Sequence, residues 1–483
     1  QDGLITVPIY ESWPNRYTPR REVGHLTMVQ DRSFVNAKLH KLALDLGTTL
    51  VICLLLLGEL ASLFAMFAGF RSAKEEPVQA KATPGQALQD RALLIRGMCF
   101  LFFFGYDMVL TFIPLAARDL GGTLFGLSPT VLSSLPISAE MTMAGAGIFL
   151  VGYLSRTITW NRLFLAGILC ASLGGFLAAM APTISLFILA RGVAGLGFGL
   201  ILMSGQLGLL HQENRAEGLG NMFAGVFAGS LCGCATGAML SEHFSYSSVF
   251  LAAGVLIPLT LTLLPYAGSG TLQDAARAKR KLAPLLGFLR EPRLWALLLM
   301  VSIPAAACLS GFLYFIVPVQ MQRLAVPQGD VGRLFMLYGL CFIYAGPLIG
   351  KIVDRATNTT WYVVLAGVLS GLALMLASIV PTFWGYAASV LCTGIAQCIV
   401  ASSLLVYVLT LPSVKELGTD KAASMFRLIE RGGQVLGPVV FAAMAAAASL
   451  GGNLLMTGSA FVLMGLLFAG VALRNKQPQE PRI

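Results

Sequence analysis

Read from its first residue, the chain alternates long apolar runs with short polar gaps, and most runs are of similar length. Crossing a hydrocarbon core of about 30 Å takes roughly 20 apolar residues of helix. Runs that meet this requirement lie at about 43–70, 92–117, 129–155, 161–181, 183–210, 216–241 and 246–266. After a basic gap they resume at about 294–319, 329–353, 360–380, 382–411, 419–447 and 452–473. The runs are continuous and lack a period of two, so they predict helices rather than the strands of a membrane barrel. The predicted fold is an all-α membrane protein of 13 spans, one extra N-terminal helix followed by six and then six. Its divisions are an extracytoplasmic segment 1–42, the extra helix 43–70, a linker 71–91, a bundle 92–266, a basic loop 267–293, a bundle 294–473 and a tail 474–483.

Composition agrees: 56% of the 483 residues are hydrophobic and 12% charged, against about 25% charged in a soluble globular protein. The net charge of +10 would raise nucleic acid as a partner in a soluble chain. Here the basic residues sit in loops, so membrane topology explains them and no nucleic acid is expected. Arg71, Lys74, Lys81 and Arg91, then Arg277, Lys279, Arg280 and Lys281, then Arg474, Lys476 and Arg482 fall on one side if every run spans. Arg162, Arg215, Lys351, Arg355, Lys415 and Lys421 join them, whereas the opposite loops offer only Arg118 and Arg323. The basic side is expected to be cytoplasmic, with the C-terminus there and the N-terminus outside, as in a bacterial inner membrane. The sequence starts at Gln1 rather than Met, and 1–42 has the character of the end of a sensor-like domain or of a disordered extension. A missing domain or a partner protein on that side is therefore expected. All nine cysteines fall in apolar runs and read as small buried hydrophobes.

The two sets of six helices repeat locally. Gly225, Gly229, Gly233 and Gly237 are spaced by four in the fifth transporter helix, and Gly433, Gly437 and Pro438 stand in the eleventh. Gly229 and Gly433, like Gly233 and Gly437, are 204 residues apart. Such ridges let a neighbouring helix approach closely, which can be plain packing or a site of motion. Residues 92–473 resemble the major facilitator superfamily. ARGVAGLGFG, with Arg191, is similar to its fourth-helix motif, and AGSLCGCATG, with Cys234 in place of proline, to its antiporter fifth-helix motif. GKIVDR (Gly350, Asp354, Arg355) is similar to the loop motif after the eighth helix. GYLSRTITWNR (Gly152, Arg156) is its counterpart after the second, with Arg156 where aspartate is usual. The resemblance implies two bundles rocking about a central site in alternating access.

Ionisable residues inside the membrane are costly and mark partners or pathways. Asp107 in the first transporter helix, Glu140 in the second and Arg191 in the fourth lie at comparable depth, and they are expected to form one proton-coupling network. A permanent pair of Asp107 with Arg191, locking the bundle, is the competing reading. In the eleventh helix Arg427 and Glu430 share a face. With Arg431 they form a cluster that either attracts an anionic group and gates, or is simply hydrated at the interface. Tyr106, Tyr314, Phe315 and Tyr338 are candidates to line a substrate cavity. His211 and His243 lack ligand partners at helical spacing, and no metal or cofactor is expected. No nucleophile elbow or Walker motif occurs, so neither an enzyme nor a self-powered pump is expected. The leading expectation is a proton-coupled exporter of a small amphipathic or largely apolar solute. An organic-anion symporter and a transporter-derived sensor or assembly subunit are the alternatives.

Overall fold

The structure, a computed structural model, describes residues 4–10, 22–29, 32–75, 84–267 and 282–474, apart from 125, 156, 210–214, 357 and 448–449. Arg156, His211, the middle of the basic loop and the tail beyond 474 lie outside the described residues. The chain divides into two units, residues 1–54 and 55–483. In the first, strands β1 (Leu4–Tyr10) and β2 (Glu22–Val29) pair antiparallel, with Leu4 opposite Val29 and Tyr10 opposite Glu22. These strands stand where a sensor-domain remnant or a disordered extension was expected; the membrane part is helical. The leading helix runs over Arg32–Glu75, longer at both ends than the apolar run at 43–70.

The second unit carries the transporter helices. The first is Pro84–Asp107, continued after a turn by Ile113–Leu120. The second is Leu135–Leu154, the third Trp160–Ala179, the fourth Ile184–Leu209 and the fifth Arg215–His243. The sixth is Tyr246–Leu256, which runs on into 3₁₀ turns. The seventh runs from Pro292 to Arg323 and the eighth from Gln328 to Arg355. The ninth is Thr360–Ile379, the tenth Phe383–Leu409, the eleventh Thr419–Ala446 and the twelfth Leu450–Arg474.

Among the described residues eleven helices are long and apolar enough to cross a membrane, against the 13 spans expected from sequence. The first and eleventh transporter helices are the two outside that count. The first transporter helix is interrupted: Pro114 lacks an N–H for the carbonyl of Leu110, and the chain turns through 108–112 and restarts at Ile113. The eleventh is long enough, but Arg427, Glu430 and Arg431 interrupt its apolar character. In the seventh helix Pro304 and Pro318 sit beside π-helical stretches at Leu298–Ser302 and Cys308–Ile316. Wider turns there absorb the bonds that proline cannot make.

Packing differs between the two ends of the bundle. At the end bearing the basic loops, each half has its own apolar cluster, one around Phe102, Trp160 and Phe164, the other around Leu297, Leu404 and Phe426. At the opposite end a single cluster crosses both halves, joining Ile113, Phe187 and Phe250 to Phe312, Phe335 and Phe441. There the backbone N–H of Gly329 also donates to Glu242 across the seam at 2.6 Å. The halves are joined at one end and separately packed at the other.

Candidate functional site

The second and fourth helices meet backbone to backbone. A Cβ on Gly195 or Gly199 would collide with the carbonyls of Glu140 and Ala144, so only glycine lets the helices approach this closely. That approach sets Arg191 against Glu140, 2% and 1% exposed. Arg191 Nη2 lies 2.7 Å from Glu140 Oε2 and its Nε donates to the same oxygen at 3.2 Å. The hydroxyl of Tyr106 donates to Glu140 Oε1 at 2.5 Å. The guanidinium also lies over the rings of Tyr106 and Phe250, 5.6 and 5.9 Å from their centroids.

Asp107 takes no part in this pair. It is 7% exposed, it forms no ion pair with a described residue, and its polar neighbours are Ser230 and Cys234 of the fifth helix, with Glu140 and Arg191 near enough to act on it electrostatically. Of the expected three residues, Glu140 and Arg191 are in direct contact together with Tyr106, and Asp107, one residue from Tyr106, is coupled to them through space without a contact. The competing reading of a permanent Asp107–Arg191 pair does not hold, since Arg191 pairs with Glu140.

Arg431 reaches the seam between the halves. It donates to Gln434 Oε1 at 2.8 Å and lies over the ring of Phe198, 5.8 Å from its centroid. Phe198 in turn packs against Phe103 and Tyr106. A cavity of about 330 Å³ opens beside it, lined by Met141, Thr142, Gly145 and Phe149 of the second helix and by Leu428, Arg431 and Val435 of the eleventh. Arg427 pairs with Glu430 at 2.9 Å, as their spacing predicts. Glu430 also accepts from Ser302 of the seventh helix at 3.4 Å.

The aromatic candidates separate. Tyr314 stacks on Phe335 and is electrostatically close to both Asp107 and Arg431, so it belongs to the centre. Phe315 is wholly buried in the crossing cluster. Tyr338 packs on Phe342, which stacks on Phe227 across the seam at 4.5 Å. Phe198, Phe227 and Ser230 were missed from sequence, although Phe198 stands out as the lone aromatic within the glycine-rich fourth-helix motif.

Gly229, Gly233 and Gly237 pack on the backbone carbonyls of Phe100, Phe104 and Met108, and Gly433 and Gly437 on those of Ile303 and Ala307. Pro438 lies inside the eleventh helix, where it leaves the Gln434 carbonyl without its i+4 donor. Gly350 has one neighbour near its missing Cβ, Ser402 Oγ at 3.9 Å, and Gly152 has none. Asp354 and Arg355 end the eighth helix.

A family model described as the Major Facilitator Superfamily matches residues 95–438. The chain belongs to that superfamily. Its member functions supply the coarse reading: a multi-pass membrane transporter of small molecules. Multidrug resistance protein MdtG of Salmonella choleraesuis is 25% identical over 294 residues, which cover 59% of this chain and 72% of MdtG. MdtG of Salmonella typhimurium matches to the same extent. Among solved structures, a peptide transporter POT in complex with sulfate has a TM-score of 0.64 at 14% identity, covering 80% of this chain and 94% of its own. A bacterial homolog to the human lysosomal transporter Spinster, in an inward-facing and occupied conformation, has a TM-score of 0.62 at 15% identity, covering 80% and 98%. At these identities the structures speak to the fold.

Proposed function

We propose that this superfamily member is a proton-coupled exporter of small amphipathic or largely apolar compounds. In this reading the basic end faces the cytoplasm of a bacterial inner membrane, with the N-terminus outside and the C-terminus inside. The observation that carries it is the division of labour between the two buried acids. Glu140 is held by Arg191 and Tyr106, so changing its charge breaks an ion pair. Asp107 forms no ion pair among the described residues, so taking up or releasing a proton there breaks none while Arg191 and Glu140 still feel the change, and it is the proton carrier. The largely apolar cavity between the second and eleventh helices suits an apolar solute entering from the end where the halves are separate. The name of the MdtG relatives supports drug-like compounds as the solute class.

The test is transport in proteoliposomes under an imposed pH gradient, with a panel of lipophilic cations and neutral drugs. Asp107→Asn should abolish gradient-driven transport and leave solute exchange between the two faces intact. Wild-type rates retained by Asp107→Asn would remove it as the carrier. A second reading, uptake of an organic anion with protons, draws on the Arg431 guanidinium in the cavity wall. Inhibition by aromatic carboxylates that disappears in Arg431→Gln would favour it.

A further inference from the structure

The joined end of the bundle holds a second cavity, of about 370 Å³, remote from the central acids. Arg118, in the short helix that completes the first transporter helix, and Arg323, the last residue of the seventh, both line it. One comes from each half. Gly121 and Gly122, at φ of +60° and +100°, bring backbone without side chain to the wall, and Thr130 adds a hydroxyl. The two guanidiniums are close enough to oppose each other's charge: burial, and then Arg323, lower the pKa of Arg118 from its ordinary value. Neither arginine has an ion pair or hydrogen bond with a described residue. Two cations facing one pocket across a seam, with no carboxylate between them, form an arrangement that repels itself when empty.

We propose that this cavity binds an oxyanion, a phosphate or carboxylate group, between Arg118 and Arg323, and that the bound anion fastens the two halves at this end. Guanidinium pairs bidentately with such groups, so one anion replaces a repulsion with two charge-assisted contacts. Opening this end separates the arginines, so an anion held by both favours the joined state and shifts the population toward it. The same chemistry is offered by the headgroup of an anionic phospholipid and by a free anion.

The full-length protein in nonionic detergent is titrated with inorganic phosphate at fixed ionic strength. In parallel it is placed in nanodiscs of phosphatidylcholine with or without phosphatidylglycerol. Thermal unfolding, with spin labels at positions 244 and 324 reporting separation of the halves, should give a saturable rise in Tm of about 3 °C or more and a narrowed distance distribution. Both effects should vanish in Arg118→Gln and in Arg323→Gln. Response to phosphate identifies a soluble anion; response to phosphatidylglycerol alone identifies a lipid headgroup. The proposal is overturned if neither raises Tm, if the rise persists in the double variant, or if Tm rises with no change in distance. Should the double variant fail to fold, Arg323→Gln alone decides the matter, since that exposed side chain contributes no hydrogen bond or ion pair to the fold.

Discussion

Replacing Arg191 by methionine leaves a similar length of apolar stem but removes the cation that Glu140 faces. The two side chains are 3% and 2% exposed, so solvent screening gives no reason to discount the loss. Removing one partner of a buried pair costs about 3–5 kcal/mol, because the other charge stays buried. Here Glu140 keeps the Tyr106 hydroxyl at 2.5 Å, which puts the expected cost at the lower end, about 3 kcal/mol. Neutral hydrogen bonds between membrane helices average only about 0.6 kcal/mol in double-mutant cycles, so the ion pair is separable from them by magnitude. The assay is equilibrium unfolding in mixed micelles of wild type, Arg191→Met, Glu140→Met and the double variant. A coupling energy of about 2–3 kcal/mol is expected, so the double variant should cost that much less than the two single variants summed. A coupling below about 0.5 kcal/mol, the usual limit for independent sites, would refute a buried pair that holds the second helix to the fourth.

Two further predictions concern packing. Gly147→Ala should cost about 1–3 kcal/mol, since its Cβ would lie 2.6 Å from the Leu196 carbonyl oxygen and 3.0 Å from the Leu200 nitrogen, backbone that cannot yield. Gly145→Ala, two residues earlier with nothing within 4 Å, should be neutral or stabilising by up to about 1 kcal/mol in the same assay; equal costs would refute the packing argument. The leading helix is tied to the first transporter helix by Glu59, which accepts from Arg96 Nε at 3.0 Å and Nη2 at 2.5 Å. Arg96 is 30% exposed and Glu59 5%. Arg96→Leu, which strands the buried acid, should therefore cost about 3 kcal/mol, and Glu59→Leu, which leaves a hydratable cation, nearer 1 kcal/mol. The reverse order would show that the acid is not the desolvated partner.

How much of this could be read in advance depended on the range of the forces involved. Crossing a bilayer is a one-dimensional requirement on apolar length, so the helices were legible, and what length did not foretell is the interruption before Ile113 and the charged stretch inside the eleventh helix. Arg427 and Glu430, three residues apart on one helix, were legible for the same local reason. The partner of Arg191 was not. Asp107 and Glu140 lie at similar depth, and the choice between them is made by Gly195 and Gly199, which let the second helix pack backbone to backbone on the fourth, whereas the first reaches it through side chains. Depth follows from sequence; azimuth needs the neighbouring helix. Tyr314 and Phe315 show the same limit, because of these neighbours in one π-helical stretch Phe315 is wholly buried and Tyr314 only partly, and nothing in their order says which.

The repeat sharpens where the chemistry resides. Gly233 packs on the Phe104 carbonyl and Gly437 on that of Ala307, so the fifth helix sits on the first as the eleventh sits on the seventh. The glycines are 204 residues apart and their partners 203, which fixes a correspondence for the residues around them. Asp107 then corresponds to Ser310, and Ser230 to Gln434. Ser310 is buried and hydrogen-bonds the Ala306 carbonyl of its own helix at 3.4 Å, and Gln434 accepts from Arg431. Both halves keep the close helix pair, but only one keeps an acid at its contact. Packing constrains both copies equally, because a Cβ at either glycine would strike backbone. The polar position is under no such constraint, so an acid retained there costs stability with no packing return. A structural role would have been served as well by serine, as the second copy shows. Asp107 is thus a place where the two halves differ in chemistry while agreeing in fold, and on the proposed reading of it as proton carrier Asp107→Ser should preserve stability while removing proton coupling.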